Sequence, residues 1–198
     1  MQGETALNNM KNKLLIVNVC REKLHYFEFV KPIEDIIRKM KEEEDIYFET
    51  KHYKTLKQEY IKKFDKIIIC GTSLKDCEYL NNIKKFSWIK RFRGSILGIC
   101  AGMQVICDIY RCKLEKNTGM GQKLIFINKS FLGIEGWKEV YELHNYSIKR
   151  DRRLGNLFDI FSQGSIDAIK HKKRDIYAVM FHPEVRQKDL IRNFVMRR

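Results

Sequence analysis

Continuous apolar runs alternate with segments of helical periodicity along the first half of the chain. Residues 14–19 form one such run, as expected for a strand buried on both faces, and residues 32–40 then carry apolar side chains at helical spacing. The same criteria predict further strands over residues 46–48, 66–70 and 95–99, and further helices over residues 56–64 and 103–110. Such alternating units predict a parallel sheet with helices on its faces.

The pattern changes beyond Gly121, where short segments of β-type composition dominate. Strands are predicted over residues 124–127, 139–143, 166–169 and 176–180, and a closing helix over residues 189–196. Strand–helix units followed by consecutive strands predict an α/β fold. We expect a three-layer sandwich with a central mixed, largely parallel sheet of the flavodoxin-like kind.

The length and composition suit a single compact domain. The chain has 198 residues, of which 44% are hydrophobic and two are proline, and a single core of this size is common. Residues 1–12 lack periodicity, so we predict a disordered leader there and one domain over residues 13–198. No apolar run approaches the ~20 residues that span a bilayer, and the polar start has no signal-peptide core. The expected location is therefore the cytoplasm, with no membrane partner.

Charge and cysteine usage narrow the classes of ligand. The net charge is +14, but lysine and arginine are spread along the chain and mixed with acids, which favours a solvated surface over nucleic-acid binding. A basic face can also dock an acidic partner subunit or attract a nucleotide. The six cysteines show no paired C-x-x-C spacing, so the sequence indicates neither a metal site nor a disulfide framework. One reduced thiol can therefore be catalytic.

A Gly-x-Cys-x-Gly motif connects a predicted strand with a predicted helix. Gly98, Cys100 and Gly102 form this motif, a nucleophile elbow with cysteine in place of serine. The sharp turn strains the backbone of the nucleophile, and glycine on either side leaves room where strand and helix crowd together. The unpaired amides of the following helix favour a thiolate at Cys100. The alternative, a core cysteine beside incidental glycines, is disfavoured by the strand–helix context.

A candidate base follows the predicted strand over residues 176–180. His182 stands in the sequence Phe181-His182-Pro183-Glu184, and Pro183 favours extended geometry at His182. Residues two apart in an extended chain project to the same side, so Glu184 can orient the imidazole. Taken alone, His182 would more often be structural, but its pairing with Glu184 and the elbow predicts a Cys-His-Glu triad.

Two motifs resemble the signatures of a known family. GICAGMQ at residues 98–104 and MFHPEV at residues 180–185 resemble those of class I glutamine amidotransferases, and residues 165–195 resemble the glutaminase unit of GMP synthases. The resemblance covers about residues 13–195. It implies that the chain releases ammonia from glutamine through a thioester. Cys100 would be the nucleophile, His182 the general base and acid, and Glu184 its partner.

The resemblance also implies a set of substrate contacts. The implied oxyanion and substrate-binding residues are Gly71, Thr72, Ala101, Gln104, His144, Asn145 and Tyr146. The chain departs from the family where Thr72 and Ser73 replace a second glycine and a proline. It departs from GMP synthases at Tyr146, where they carry an acidic residue, and after the first strand, where they carry an acidic, glycine-containing sequence.

The acceptor of the ammonia is expected on another protein. The chain has no convincing phosphate loop, so we expect no cofactor on it and place ATP and Mg on a partner subunit. The expected partner is an ATP-pyrophosphatase, or synthetase, subunit of the GMP synthase kind that converts XMP to GMP. The alternatives are an amidotransferase for another acceptor, a γ-glutamyl peptidase, or a catalytically silent binding or regulatory protein of the same fold.

Overall fold

The computed structural model describes residues 12–197, so all but the last residue of the predicted leader lies outside the described residues. The strands are β1 (Lys13–Asn18), β2 (Tyr47–His52), β3 (Lys66–Ile69), β4 (Ser95–Ile99), β5 (Leu114–Phe131), β6 (Ile134–Ile148), β7 (Phe158–Ile160), β8 (Ala168–His171) and β9 (Ile176–Val179). The α-helices are α1 (Lys23–Phe29), α2 (Lys31–Met40), α3 (Gln58–Ile61), α4 (Glu78–Asn81), α5 (Ala101–Ile109), α6 (Arg152–Leu157) and α7 (Lys188–Met196). Two 3-10 helices cover Tyr53–Thr55 and Ile83–Lys90.

Seven strands form the central sheet in the order β2-β1-β3-β4-β9-β8-β7. The pairs β2–β1, β1–β3, β3–β4 and β4–β9 are parallel. Strand β8 pairs antiparallel with both β9 and β7. This is the mixed, largely parallel sheet that the sequence predicts. Because β3, β4 and β9 are parallel neighbours, their carboxyl ends lie side by side at one edge of the sheet.

Helices cover both faces of this sheet, as an α/β sandwich requires. Alternate residues of each central strand enter two separate apolar clusters; in β1, Leu14 and Ile16 face one and Leu15 and Val17 the other. The first cluster includes residues of α2 and α7, and the second includes residues of α5 and the 3-10 helix Ile83–Lys90. Burial on both faces explains why the central strands read as continuous apolar runs.

The strands β5 and β6 form a separate antiparallel hairpin. The sequence predicts only the segments over residues 124–127 and 139–143, because the flanking parts of both strands are polar and half-exposed. Ile125, Ile127 and Val140 pack on the first apolar cluster. At its other end, β6 reaches the carboxyl edge of the sheet.

Several elements differ from the prediction in extent. The helix predicted over residues 56–64 is limited to Gln58–Ile61, and the short strand predicted over residues 46–48 extends to Tyr47–His52. That strand is polar, but all six of its residues pair in register with β1. Within residues 12–197, no helix combines the length and apolar character needed to cross a membrane.

Candidate active site

Three loops meet at the carboxyl edge of the sheet, where ligands of open α/β sheets commonly bind. Gly71 follows β3, Cys100 follows β4, and His182 follows β9. A Cβ atom built on Gly71 would lie 2.5 Å from Cε1 of His182 and 3.4 Å from Cβ of Cys100. The predicted nucleophile and base therefore lie side by side, directly under the loop that follows β3.

Cys100 occupies a strained turn between β4 and α5. Its φ and ψ are 49° and −101°, a conformation that residues with a Cβ rarely adopt. A Cβ on Gly98 would lie 2.7 Å from the carbonyl of Gly102, and a Cβ on Gly102 would lie 2.3 Å from the carbonyl oxygen of Ile69. Both glycines of the motif are thus required for the close approach of strand and helix, as the sequence indicates.

His182 and Glu184 form a buried pair beside Cys100. Nδ1 of His182 lies 2.7 Å from Oε1 of Glu184, and the two side chains are 1% and 0% exposed. An ionised carboxylate can only accept a hydrogen bond, so Nδ1 of His182 carries the hydrogen that is shared with Glu184. The other ring nitrogen, Nε2, remains available to accept or donate a proton. Nε2 has no hydrogen-bond partner among residues 12–197, and the ring of Phe29 packs against the imidazole at 5.3 Å between centroids.

The environment of His182 favours its charged form. Burial by itself lowers the pKa of His182, but the Glu184 carboxylate and Cys100 together raise this pKa well above its usual value. Negative charge that develops on Sγ of Cys100 would therefore lie beside a cationic partner. The thiol can also donate to the carbonyl oxygen of Leu143, 3.3 Å from Sγ. Such a pair can perform nucleophilic and acid–base chemistry.

A narrow cleft lies beside Cys100, with an internal volume of only about 10 Å³ in this structure. It is lined by residues of the loop after β3, by Cys100 and Gln104, and by residues 143–146 of β6. Thr72, Gln104, His144, Asn145 and Tyr146, all implied by the resemblance, lie in this lining, and the backbone of Ala101 begins the helix below it.

Both polar atoms of the Gln104 side-chain amide form hydrogen bonds with neighbouring residues. Its Nε2 donates to the carbonyl oxygen of Tyr146 at 2.9 Å, and its Oε1 accepts from the hydroxyl of Tyr79. Gln104 therefore ties helix α5 to strand β6 as well as lining the cleft. Tyr79 was not singled out in the sequence, because nothing in the pattern of α4 distinguishes it from an ordinary core tyrosine.

The side chains of His144 and Asn145 each contact a backbone carbonyl group of another element. Nδ1 of His144 lies 3.1 Å from the carbonyl oxygen of Asn117, and Nδ2 of Asn145 donates to the carbonyl oxygen of Leu74 at 2.7 Å. Asn145 thus links the hairpin to the loop after β3. Across residues 12–197, no group of three or more His, Cys, Asp or Glu side chains is arranged to hold a metal ion.

The profile of the family "Glutamine amidotransferase class-I" matches residues 26–197. The chain belongs to this family. Among curated relatives, a subunit of the glutamine-hydrolyzing GMP synthase of Methanobrevibacter smithii is 29% identical over 106 residues, 50% of this chain and 54% of that protein. The corresponding subunit from Pyrococcus abyssi is 31% identical over 115 residues, 52% of this chain and 60% of that protein. The matched part of this amidotransferase thus spans little more than half the length of these relatives.

Solved structures support the fold. A crystal structure of a candidate GMP synthase subunit from Thermoplasma acidophilum matches with a TM-score of 0.79 at 22% identity, covering 93% of this chain and 92% of that one. A glutamine amidotransferase from Thermotoga maritima matches with a TM-score of 0.66 at 16% identity, covering 90% of this chain and 78% of that one. The chain has the class I glutamine amidotransferase fold.

Proposed function

We propose that this chain hydrolyses glutamine to glutamate and ammonia, with Cys100 as nucleophile, His182 as general base and acid, and Glu184 as the group that orients His182. The observation that carries the proposal is the strained turn at Cys100 beside a buried His182–Glu184 pair. A strained cysteine at a helix N-terminus next to an oriented imidazole is the arrangement that thiol nucleophiles need.

The proposed reaction has two halves. The Cys100 thiolate attacks the side-chain amide carbon of glutamine, and the oxyanion rests on the amides of Thr72 and Ala101. His182 donates its proton to the departing nitrogen, so ammonia leaves and a glutamyl thioester remains. His182 then accepts a proton from water as the resulting hydroxide attacks the thioester. The carbon–sulfur bond breaks, the Cys100 thiolate and the His182 imidazolium are restored, and the γ-carboxyl group of the product loses its proton to solvent as glutamate leaves.

We further propose that the ammonia passes to a separate synthetase subunit that converts XMP to GMP. The names of the curated relatives support this acceptor, since several are subunits of glutamine-hydrolyzing GMP synthases. ATP and Mg would be bound by that partner. The net charge of +14 favours a partner with an acidic docking surface.

Glutamate release by the purified chain tests the first proposal, with Cys100→Ala as the negative control. The acceptor is tested by adding the ATP-pyrophosphatase subunit of the same organism, with ATP and XMP, and measuring GMP. Preferential hydrolysis of γ-glutamyl peptides over glutamine would identify a peptidase instead. Glutamine hydrolysis without GMP formation would retain the glutaminase and reject the acceptor.

A further inference from the structure

We propose that Asp76 is a positioning residue: through the hydroxyl of Thr72 it holds the loop after β3 in the conformation that aims a backbone amide at the oxyanion. The oxyanion loop is defined here as residues 71–74. This inference rests on the proposed function, because it assigns a role within the same reaction. Asp76 lies outside both motifs through which the chain resembles the family, and the sequence alone does not indicate a role for it.

The carboxylate of Asp76 joins three segments around the cleft. Its Oδ2 accepts from the Thr72 hydroxyl at 3.0 Å and from the backbone amide of Arg21 at 2.5 Å, and its Oδ1 accepts from the backbone amide of Glu78 at 3.3 Å. The backbone amide of Asp76 also donates to the carbonyl oxygen of Ser73 at 3.1 Å. One side chain therefore connects the oxyanion loop to the segment after β1 and to the start of α4.

Asp76 and Thr72 are both buried, so their polar groups need hydrogen-bond partners within the protein. Asp76 is 5% exposed and Thr72 is 3% exposed. A buried carboxylate is costly unless its oxygens receive hydrogen bonds, and here the Thr72 hydroxyl supplies one of the donors. Rotation of Thr72 away from Asp76 would leave both groups short of a hydrogen bond. The contact consequently restrains the backbone of Thr72 as well as its side chain.

Thr72 places its hydrogen bond with Asp76 next to the candidate nucleophile. Gly71 has no room for a Cβ above His182, and Thr72 and Ser73 line the cleft beside Cys100. A loop with threonine and serine lacks the rigidity of proline, so its amide needs another restraint. Asp76 supplies that restraint from within the same loop region.

The second half of the oxyanion loop is held from other elements. Oγ of Ser73 lies 3.2 Å from Nδ1 of His25 in α1, and the carbonyl oxygen of Leu74 accepts from Asn145 in β6. Neither contact touches Thr72. The path of residues 73–74 therefore depends on α1 and β6.

The peptide between Gly71 and Thr72 has a different pair of restraints. Sγ of Cys20 lies 3.7 Å from the carbonyl oxygen of Gly71, and a thiol is a weak donor. The Thr72 hydroxyl donates to the Asp76 carboxylate at 3.0 Å, and a charged acceptor makes the stronger bond. The orientation of this amide thus depends chiefly on the Thr72–Asp76 hydrogen bond.

Two electrophiles separate positioning of the oxyanion amide from reactivity of the thiol. The Cys100 thiolate adds to the carbonyl of a chloromethyl ketone analogue of glutamine, and the sulfur then bonds to the methylene carbon as chloride leaves. Because the carbonyl adduct carries an oxyanion, the inactivation rate depends on oxyanion donors. Iodoacetamide reacts at a saturated carbon and forms no oxyanion. The ratio of the two inactivation rate constants at Cys100 is measured for wild type, Thr72→Val, Asp76→Asn and Thr72→Ser. Thr55→Val is the matched control, since its exposed hydroxyl donates to the carbonyl oxygen of His52, away from the cleft.

We expect the ratio to fall about tenfold or more in Thr72→Val and Asp76→Asn, because small misplacements of a catalytic donor are costly. Thr72→Ser retains the hydroxyl and should recover most of the wild-type ratio, and Thr55→Val should stay within about twofold of wild type. The kcat for glutamine should fall with the ratio, with KM changing less. Circular dichroism and Tm of each variant report folding, and Thr72→Val decides the case if Asp76→Asn does not fold.

A ratio unchanged in folded Thr72→Val overturns the proposal, as does a rise in KM alone, which would make Asp76 a substrate-binding group. These results differ from failure of the proposed function. If wild type does not hydrolyse glutamine but the ratio follows the expected order, the glutaminase is rejected and the role of Asp76 stands.

Discussion

Oε1 of Glu184 lies 2.7 Å from Nδ1 of His182, and both side chains are fully enclosed by protein. The carboxylate therefore does two things at once. It sets which ring nitrogen carries the proton, and it stabilises the imidazolium electrostatically. Both effects have measurable consequences for the proposed reaction.

The first prediction concerns the pH dependence of glutamine hydrolysis. The pKa of His182 is raised well above its usual value, chiefly by Glu184 and Cys100 acting against burial. In the proposed reaction the imidazolium of His182 protonates the departing nitrogen. It should therefore persist above about pH 6.5, the ordinary histidine value, and kcat/KM should fall only on the more alkaline side. Glu184→Gln removes the stabilising charge, so its alkaline limb should move to lower pH.

The profile of kcat/KM against pH is measured for wild type, Glu184→Gln and Glu139→Gln. Glu139 is a suitable control because its carboxylate pairs with Arg186 on the surface. His182→Ala should lose nearly all turnover, and Glu184→Gln should retain more. An alkaline limb that stays in place in Glu184→Gln would contradict the electrostatic role of the carboxylate.

The second prediction is that only one of the buried cysteines reacts. Burial raises the pKa of Cys70 and of Cys107 well above the usual value, so both should remain thiols at neutral pH and resist iodoacetamide. Cys100→Ser and Cys100→Ala should abolish both labelling at this site and glutamate release. Cys107→Ala should keep activity and lose only some stability. Peptide mapping after brief labelling at pH 7 locates the reactive thiol; equal labelling of Cys107 would count against the assignment.

The third prediction compares two glycines by the space around them. Gly98→Ala places a methyl group 2.5 Å from Cδ1 of Ile106 and 2.7 Å from the backbone of Gly102, so it should destabilise the fold by about 1–3 kcal/mol and displace the elbow. Gly155→Ala meets nothing within 4 Å and lies in helix α6. It should stabilise the protein by about 0.5–1 kcal/mol. Urea unfolding and glutaminase assays on both variants check the contrast.

The fourth prediction concerns the hydroxyl of Tyr79. Tyr79→Phe leaves Oε1 of the buried Gln104 without its donor, which should cost about 1–3 kcal/mol of unfolding free energy. Tyr53→Phe is the matched change, since the buried hydroxyl of Tyr53 makes no hydrogen bond within residues 12–197, and it should cost much less. Equal losses in the two variants would show that the Tyr79–Gln104 contact contributes nothing specific.

The fifth prediction concerns a synthetase partner. If association depends on the basic surface, glutamate production stimulated by the ATP-pyrophosphatase subunit should weaken as salt is raised from low to physiological strength, because exposed charges are screened. Basal hydrolysis by the isolated chain should change much less over the same range. Stimulation that does not respond to salt would indicate an apolar docking surface instead.

The sequence by itself determined the central sheet and predicted which residues lie together at its edge. Residues 66–70 and 95–99 are apolar throughout because both faces of those strands are buried, and such a run reads the same in any context. The turn at Cys100 could also be predicted from the sequence, because the glycines on either side of it act on the backbone within a few residues. The same holds for the proline before Glu184, which favours an extended backbone at His182. Each of these signals is local.

Only the tertiary structure decided how distant segments complete the site. Helix α1 carries no clear periodicity, and β2 extends beyond the three residues predicted for it because its backbone pairs with β1. Asp76, Tyr79 and the carbonyl of Leu143 look ordinary in the sequence and come to the cleft from separate elements. Their contacts depend on which side chains are buried together and on which segments the fold brings into hydrogen-bonding distance. The spacing of residue types along the chain predicts neither property.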